Sequence, residues 1–450
     1  MSVLNEMLAQ VDASLEDLLS LHQALVRIES VNTGTMPTGN ETKVCELVSA
    51  WLASDGIESE ILGRDPARGN IIARMDGRSG KAGLMFMSHT DVVPVEDESK
   101  WSVPPFGAVI ADGRVYGRGS NDCKGLLAAQ MMAMRLLKRG GVELEDGLIL
   151  VSGADEEHGG RYGFGWLAEN YPEKLAAPLA VNEGGGEPVS VGALTYMLGT
   201  GEKGRLQVEI SVKGTSAHAS VPWQGTNAMY RLAQVLQCIE AYEPELDTST
   251  DLFSYLSTFA IEHKASPQNI DEIIAEVETM NPAFASTLRA LSRMTLTPTM
   301  VSGGVKSNSV PETISVTCDV RTLPHQDDGY VRQELLRTLD GIPGVEFQID
   351  YMAIPNSSPF ETDFSNRIRS ATSFVLGTDI EWVPNITTGF TDSRFTRPLG
   401  TTTYGFSGSH PDDDPLLSKI HGTDESVGIS SLVSGTKIML TLAYDLLARK

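Results

Sequence analysis

The chain has 450 residues, more than one hydrophobic core usually supports, so two domains are expected. Its 59 acidic against 35 basic residues leave a formal charge of -24, which argues against nucleic acid or an anionic membrane as a partner. Cys45, Cys123, Cys238 and Cys318 lie far apart, suggesting neither a thiolate zinc site nor a disulfide framework, and the absence of a leader-like start or a spanning apolar run makes a cytoplasmic protein the expectation.

The first stretch alternates helical and extended patterns. In "NETKVCELVSAWLASDG" the apolar residues Val44, Leu47, Val48, Trp51 and Leu52 fall at helical spacing, and Gly56 is suited to close the helix in the left-handed conformation. Short apolar runs follow at "NIIARM", "GLMFMSH", "GLILVSG" and "PLAVNEG", separated by helix-like segments such as "GLLAAQMMAMRLLKRG". That order predicts an α/β domain with a mixed, largely parallel sheet flanked by helices. Near residue 200 the pattern changes. "GRLQVEISVKG" and "TISVTCDVRTL" alternate like strands with one wet face, while "NAMYRLAQVLQCIEAY" and "GYVRQELLRTLDG" read as helices. A smaller α+β module over 203–352 is therefore expected inside a domain built from 1–202 and 353–450. The polar, helix-prone stretch from about 245 to 295 has no evident role.

"SGADEEHGG", residues 152–160, sets Asp155, Glu156 and Glu157 side by side directly after an apolar run. Neighbouring carboxylates at a buried strand end repel one another with little screening, so a cation is required nearby. Further acids and a histidine sit at equivalent places. His89 and Asp91 are two residues apart after "LMFMS" and point the same way in extended chain; Asp122 lies in a Gly-rich turn ahead of a helix; Glu183 follows "PLAVN". Such strand ends form the binding crevice of an open α/β sheet. One His with several carboxylates and no cysteine suits zinc, manganese or cobalt, so the cation is read as a metal ion, and as a pair of them.

In order, "SHTDVVP", "GRGSNDCKG", "ADEE", "NEGG" and "HGTDESV" resemble the co-catalytic zinc family that includes aminoacylase, carboxypeptidase G and succinyl-diaminopimelate desuccinylase. The similarity runs from about residue 15 to the C-terminus. It implies a zinc-exopeptidase-like fold whose inserted module is a lid and dimerisation domain, and two Zn2+ per subunit, with Co2+ or Mn2+ as substitutes. His89 and Glu183 would hold one ion, Glu157 and His421 the other, and Asp122 would bridge them, with the cis peptide the family often carries after that aspartate. Asp91 would accept the other imidazole N–H of His89, and Glu156 would be the general base for hydrolysis of an amide. His218 would reach the active site of the other subunit of a homodimer as an oxyanion donor. Asn308 and Arg321 match substrate-contacting positions, the arginine facing a carboxylate, and Gly389 and Phe390 belong to a pocket-lining loop, "TTGFTDSRF". Phe390 stands where many relatives have glycine, so a narrower or more apolar pocket follows. The implied substrate is an N-acyl amino acid or small peptide with a free carboxylate; a dipeptidase or carboxypeptidase is the runner-up, and an idle relative or a phosphoesterase are the other classes.

Plainer readings exist for single residues. Asp122 could cap the following helix, Glu183 could be a turn residue, His218 an ordinary surface histidine and Arg321 a salt-bridged surface residue. His410 in "SGSHPDDDP" rivals His421, but only the latter sits in a motif, and His158 points away if Glu157 is a ligand.

Overall fold

The computed structural model describes residues 3–191 and 193–449. A ten-stranded sheet forms the larger domain, running Glu58–Gly63, Gly69–Met75, Gly147–Gly153, Ala82–His89, Leu179–Asn182, Thr402–Gly405, Ala193–Glu202 and Asn356–Ser357, with Pro188–Val191 and Glu381–Thr387 also pairing with Ala193–Glu202. Its central pairs, Ala82–His89 with both Gly147–Gly153 and Leu179–Asn182, are parallel, as is Leu179–Asn182 with Thr402–Gly405. Central strands covered on both faces need continuous apolar sequence, and every residue of Gly147–Gly153 is buried.

Helix Lys124–Arg139 lies against the sheet, packed on helices Leu15–Val26 and Ile429–Leu447 and on strand Ala82–His89. Its residues 124–137 are all buried, which explains why "GLLAAQMMAMRLLKRG" is apolar nearly all round rather than striped. The expected helix over 41–53 is present, and Gly56, at φ 68°, turns the chain after it as only a residue without Cβ does cheaply.

The smaller module is a four-stranded antiparallel sheet ordered Thr295–Gly303, Thr313–Thr322, Gly204–Lys213, Val345–Ala353. The register places Leu206, Val208, Ile210 and Val212 opposite Val320, Cys318, Val316 and Ile314. All eight are buried under helices Ala228–Glu240 and Asp328–Thr338, and each fully buried aliphatic chain contributes about 1.5–3 kcal/mol. The other sheet face stays wet, as the alternation requires.

The 245–295 stretch forms two short 3-10 turns and helices Ile270–Met280 and Pro282–Leu291. Its apolar residues, among them Phe253, Ile274 and Leu288, share a core with Val383 and Ile386 of the large sheet. By packing it covers strand Glu381–Thr387. Lys203, the single residue between strands Ala193–Glu202 and Gly204–Lys213, is buried and donates from Nζ to the carbonyl oxygens of Ala290 (2.5 Å) and Arg293 (2.8 Å). The connection between the two sheets is thereby tied to the end of that helix pair. Among the described residues no helix is long and apolar enough to cross a membrane.

Candidate metal centre

Three strand ends and two loops meet at the C-terminal edge of the parallel strands. Register places His89 beside Gly153, two residues before the turn at Asp155, whose φ of 65° swings the chain into the 3-10 turn Glu156–His158. Glu183 follows the strand end Asn182. Asp122 lies in the loop ahead of helix Lys124–Arg139, joined to Cys123 by a cis peptide bond. His421 comes from the loop before strand Ser426–Gly428.

These five side chains form two triads that share one carboxylate. His89 Nε2 is 2.9 Å from Asp122 Oδ1 and 3.4 Å from Glu183 Oε2. His421 Nε2 is 3.1 Å from Asp122 Oδ2 and 3.2 Å from Glu157 Oε2. Asp122 thus offers one oxygen to each triad, the arrangement a bridging ligand needs. Cys123 Sγ also falls within reach of the first triad, a neighbour the sequence reading left out. Burial first, and nearby acids after it, push its thiol up to about 12, so it is a neutral thiol at neutral pH; its backbone-facing contact is the amide N–H of His89, 3.1 Å away.

So many acids in one buried place distort their titration. Burial first, then the charge of Asp122, raises Glu183 to about 8. Burial likewise, with the charges of Glu183 and Asp392, holds the Glu156 carboxyl well above the usual carboxylate range. Asp122 goes the other way: burial opposes ionisation, but the imidazoles of His421 and His89 outweigh it and keep it well below that range. Contact with Asp122 and Glu157 raises His421 to about 10. The imbalance of negative charge is what divalent cations would relieve.

The supporting shell is specific. Asp91 accepts from the backbone N–H groups of Glu156 (3.1 Å) and Glu157 (3.2 Å) and from Asn32 Nδ2 (2.8 Å). The nearest acceptor for His89 Nδ1 is the Asp91 main-chain carbonyl at 3.0 Å, with the Asp91 carboxylate at 3.6 Å. Asp91 therefore holds His89 mainly through its backbone and the acidic turn through its side chain. Asp155, the first of the three adjacent acids, pairs with buried Arg68 at 3.1 Å, which also binds Glu41 at 2.8 Å. Part of the cation demanded by that acidic run is thus a guanidinium from 87 residues away. Glu425, fully buried, accepts from the backbone N–H groups of Gly119, Asn121 and Asp122, each at 3.1 Å, and from Arg118 Nη1 at 2.6 Å. Arg118 Nη2 reaches back to the carbonyl oxygen of His421 at 3.2 Å, so the two ligand-bearing loops clasp each other.

Buried His22 extends this support, with Nε2 2.9 Å from the carbonyl oxygen of Ser120. Burial lowers its pKa from 6.5 to about 4, so the unfolded chain takes up the proton first. Stability from this group is fully present above about pH 6.5 and is lost as pH falls toward 4, by up to about 3 kcal/mol. Urea midpoints measured from pH 7.5 to 4.5 should fall less steeply for His22→Gln than for the native chain. Parallel slopes would refute the assignment.

Comparison with known proteins follows the geometry. Residues 85–445 match the profile of Peptidase family M20/M25/M40. The chain belongs to that family. A probable succinyl-diaminopimelate desuccinylase of Staphylococcus epidermidis is 27% identical over 362 residues, 78% of each chain, and a succinyl-diaminopimelate desuccinylase of Parvibaculum lavamentivorans is 34% identical over 252 residues, 54% of this chain and 60% of that one. The crystal structure of an M20 family metallo-carboxypeptidase from Sulfolobus solfataricus superposes with a TM-score of 0.71 at 20% identity, covering 94% of this chain and 98% of the other. This M20 chain is accordingly a metal-dependent hydrolase, and its mixed, helix-flanked sheet is that of the family.

In the M20 chain a cavity of about 370 Å³ opens on the two triads and is lined also by Glu156, Arg321, Gly389 and Phe390. Arg321, on strand Thr313–Thr322 of the smaller module, is oriented by Asp319 Oδ1 at 2.7 Å from Nε and by the Thr388 carbonyl oxygen at 3.0 Å from Nη1. His218 and Asn308 do not line it. Both are exposed, His218 with Nδ1 2.7 Å from Ser220 Oγ, and Asn308 accepting at its carbonyl from the Ala219 N–H at 3.0 Å. Within the same loop, Asp392 and Arg394 are buried, which their place in "TTGFTDSRF" did not indicate.

Proposed function

We propose that the chain hydrolyses the amide bond of an N-acyl amino acid, or of a small peptide, with a free carboxylate, using two divalent ions, zinc in the first instance. The observation that carries this reading is the sharing of Asp122 between two His–carboxylate triads beside a carboxylate, Glu156, that is in neither. The donors fit: two imidazole nitrogens and three carboxylates, borderline-to-hard ligands at mutual distances one ion could span. His89, Glu183 and Asp122 would hold one ion, and His421, Glu157 and Asp122 the other. Bound there, such ions acidify water and polarise a carbonyl.

The chain's own groups supply the remaining steps. Glu156, with Oε1 buried and free of any hydrogen-bond partner among the described residues, accepts the proton of the attacking water and returns it to the leaving amine. Asp91 fixes the backbone from which Glu156 projects. Arg321 grips the carboxylate of the leaving amino acid with the Nη1 and Nη2 hydrogens not already held by Asp319 and Thr388. Metal-free protein should cleave nothing in a panel of N-acyl amino acids and dipeptides, and zinc or cobalt should restore turnover. Arg321→Lys should raise KM about 30- to 100-fold with a smaller change in kcat. Cleavage of a phosphate ester instead of any amide would overturn the reading.

The second subunit enters through His218 and Asn308, which have no route to the cavity within one chain. Two further features support a homodimer built on the inserted module. Strand Thr295–Gly303 is an edge of its sheet, with Met300 and Val301 exposed, and Trp223, Tyr230 and Val305 are 87%, 75% and 94% exposed. Sedimentation should give a dimer, and Val301→Lys with Tyr230→Glu should yield monomers that have lost most turnover. A fully active monomer would remove both residues from the mechanism.

A further inference from the structure

We infer that the part of the substrate across the scissile bond from its carboxylate is an uncharged, apolar acyl group, and that the cavity discriminates against a second carboxylate there. The inference rests on the amide-hydrolase reading above for placing the scissile bond. Its grounds are the charges and shape of the cavity.

Of the residues lining it, Arg321 is the only lysine or arginine, and the carboxylates are five: Asp122, Glu156, Glu157, Glu183 and Glu187. Three of these are committed to the triads, and Arg321 is committed to the leaving group. The rest of the wall combines Leu126 and Ala129, one turn apart on helix Lys124–Arg139, and Ile420, Val427 and Leu432 with the neutral polar side chains of Asn121, Ser407, Ser409 and Ser431. None of these side chains carries a positive charge to pair with a second carboxylate. A dianionic substrate would place its second carboxylate beside other acids with no cationic side chain of the wall to pair with it.

Two further guanidinium groups nearby, those of Arg394 and Arg205, are engaged otherwise. Arg394 is buried and does not line the cavity. Its Cζ lies 4.1 Å from the ring centroid of Phe390 and 4.7 Å from that of Phe395, and its three side-chain nitrogens have no hydrogen-bond partner among the described residues. Arg205 does not line the cavity either; it pairs with Asp319 at 3.0 Å and approaches the Phe390 ring at 5.9 Å. The cation–π contact holds Phe390 as a fixed apolar wall, so Arg394 is a positioning residue and does not present its charge to the substrate. This sets the chain apart from what the names of its desuccinylase relatives describe.

The test compares two near-isosteric substrates of one amino acid, N-pentanoyl- and N-succinyl-L-leucine. With zinc- or cobalt-loaded dimer, kcat/KM should favour the pentanoyl compound at least 100-fold; a succinyl compound used as well or better overturns the inference. Binding of both to metal-loaded Glu156→Ala, measured by calorimetry, keeps the two claims separable. Absence of turnover with a preserved pentanoyl preference in Kd would defeat the hydrolase reading alone, whereas equal or tighter succinyl binding would defeat this inference alone. Ile420→Arg, at a half-exposed position that tolerates charge, should shift the ratio at least tenfold toward succinyl, and an unmoved ratio counts against the assignment. Arg394→Met should weaken the discrimination and change KM more than kcat, a split that a merely structural loss would not produce.

Discussion

Glu156→Ala is expected to keep both metal ions and to lose about 10³- to 10⁴-fold in kcat. Retention follows from the geometry. Glu156 contributes to neither triad, and its backbone N–H, held by Asp91 at 3.1 Å, is unchanged by truncating the side chain. The loss follows from the chemistry, because the carboxylates of the triads are not free to carry the proton: Asp122, Glu157 and Glu183 all face an imidazole. Metal content by elemental analysis, set beside steady-state kinetics, separates the two effects. Turnover within tenfold of the native enzyme would remove Glu156 as the base, and loss of metal would make it a ligand.

The second large effect belongs to a residue that touches no substrate. Glu425→Ala should destabilise the protein by about 3–5 kcal/mol, because it strands the buried Arg118 guanidinium without its partner. It also frees three backbone N–H groups that fix the loop carrying Asp122, so metal affinity should fall even in molecules that remain folded. Denaturant melts of the metal-loaded protein report the first effect, and competition with a chromogenic chelator reports the second. Glu425→Gln keeps an acceptor and the shape, so its losses should be clearly smaller. Equal losses in the two variants would show that the clasp acts by charge rather than by packing.

How much of this was legible in the sequence depended on range. Strand ends and their acids were legible because each is local: an apolar run followed by a polar ligand is visible within ten residues, as in "GLMFMSH" and "PLAVNEG". Arg321, Gly389 and Phe390 could be placed in a family motif, and the structure sets them on one cavity. Pairings across the chain were not legible. Nothing in the spacing says that Asp155 meets Arg68, or that Glu425, inside the quoted "HGTDESV", faces the amides of residues 119, 121 and 122. Those partners are chosen by strand order. The same holds for 245–295, whose helical character could be read while the strand it covers could not. Arg394 is harder still, since its partners are ring faces, which leave no charge pattern in the sequence.

The order of strands carries a last consequence, for biosynthesis. Thr402–Gly405 lies between Leu179–Asn182 and Ala193–Glu202, so a gap left by the first half of the chain is filled by residues made some two hundred positions later. Until the ribosome has delivered that segment, two strand edges stay unpaired and His421 has not yet been synthesised. A nascent or prematurely terminated chain therefore offers sticky backbone to its neighbours and no complete pair of triads. Metal capture by both triads would in this sense be a late checkpoint, reached only once synthesis has passed His421.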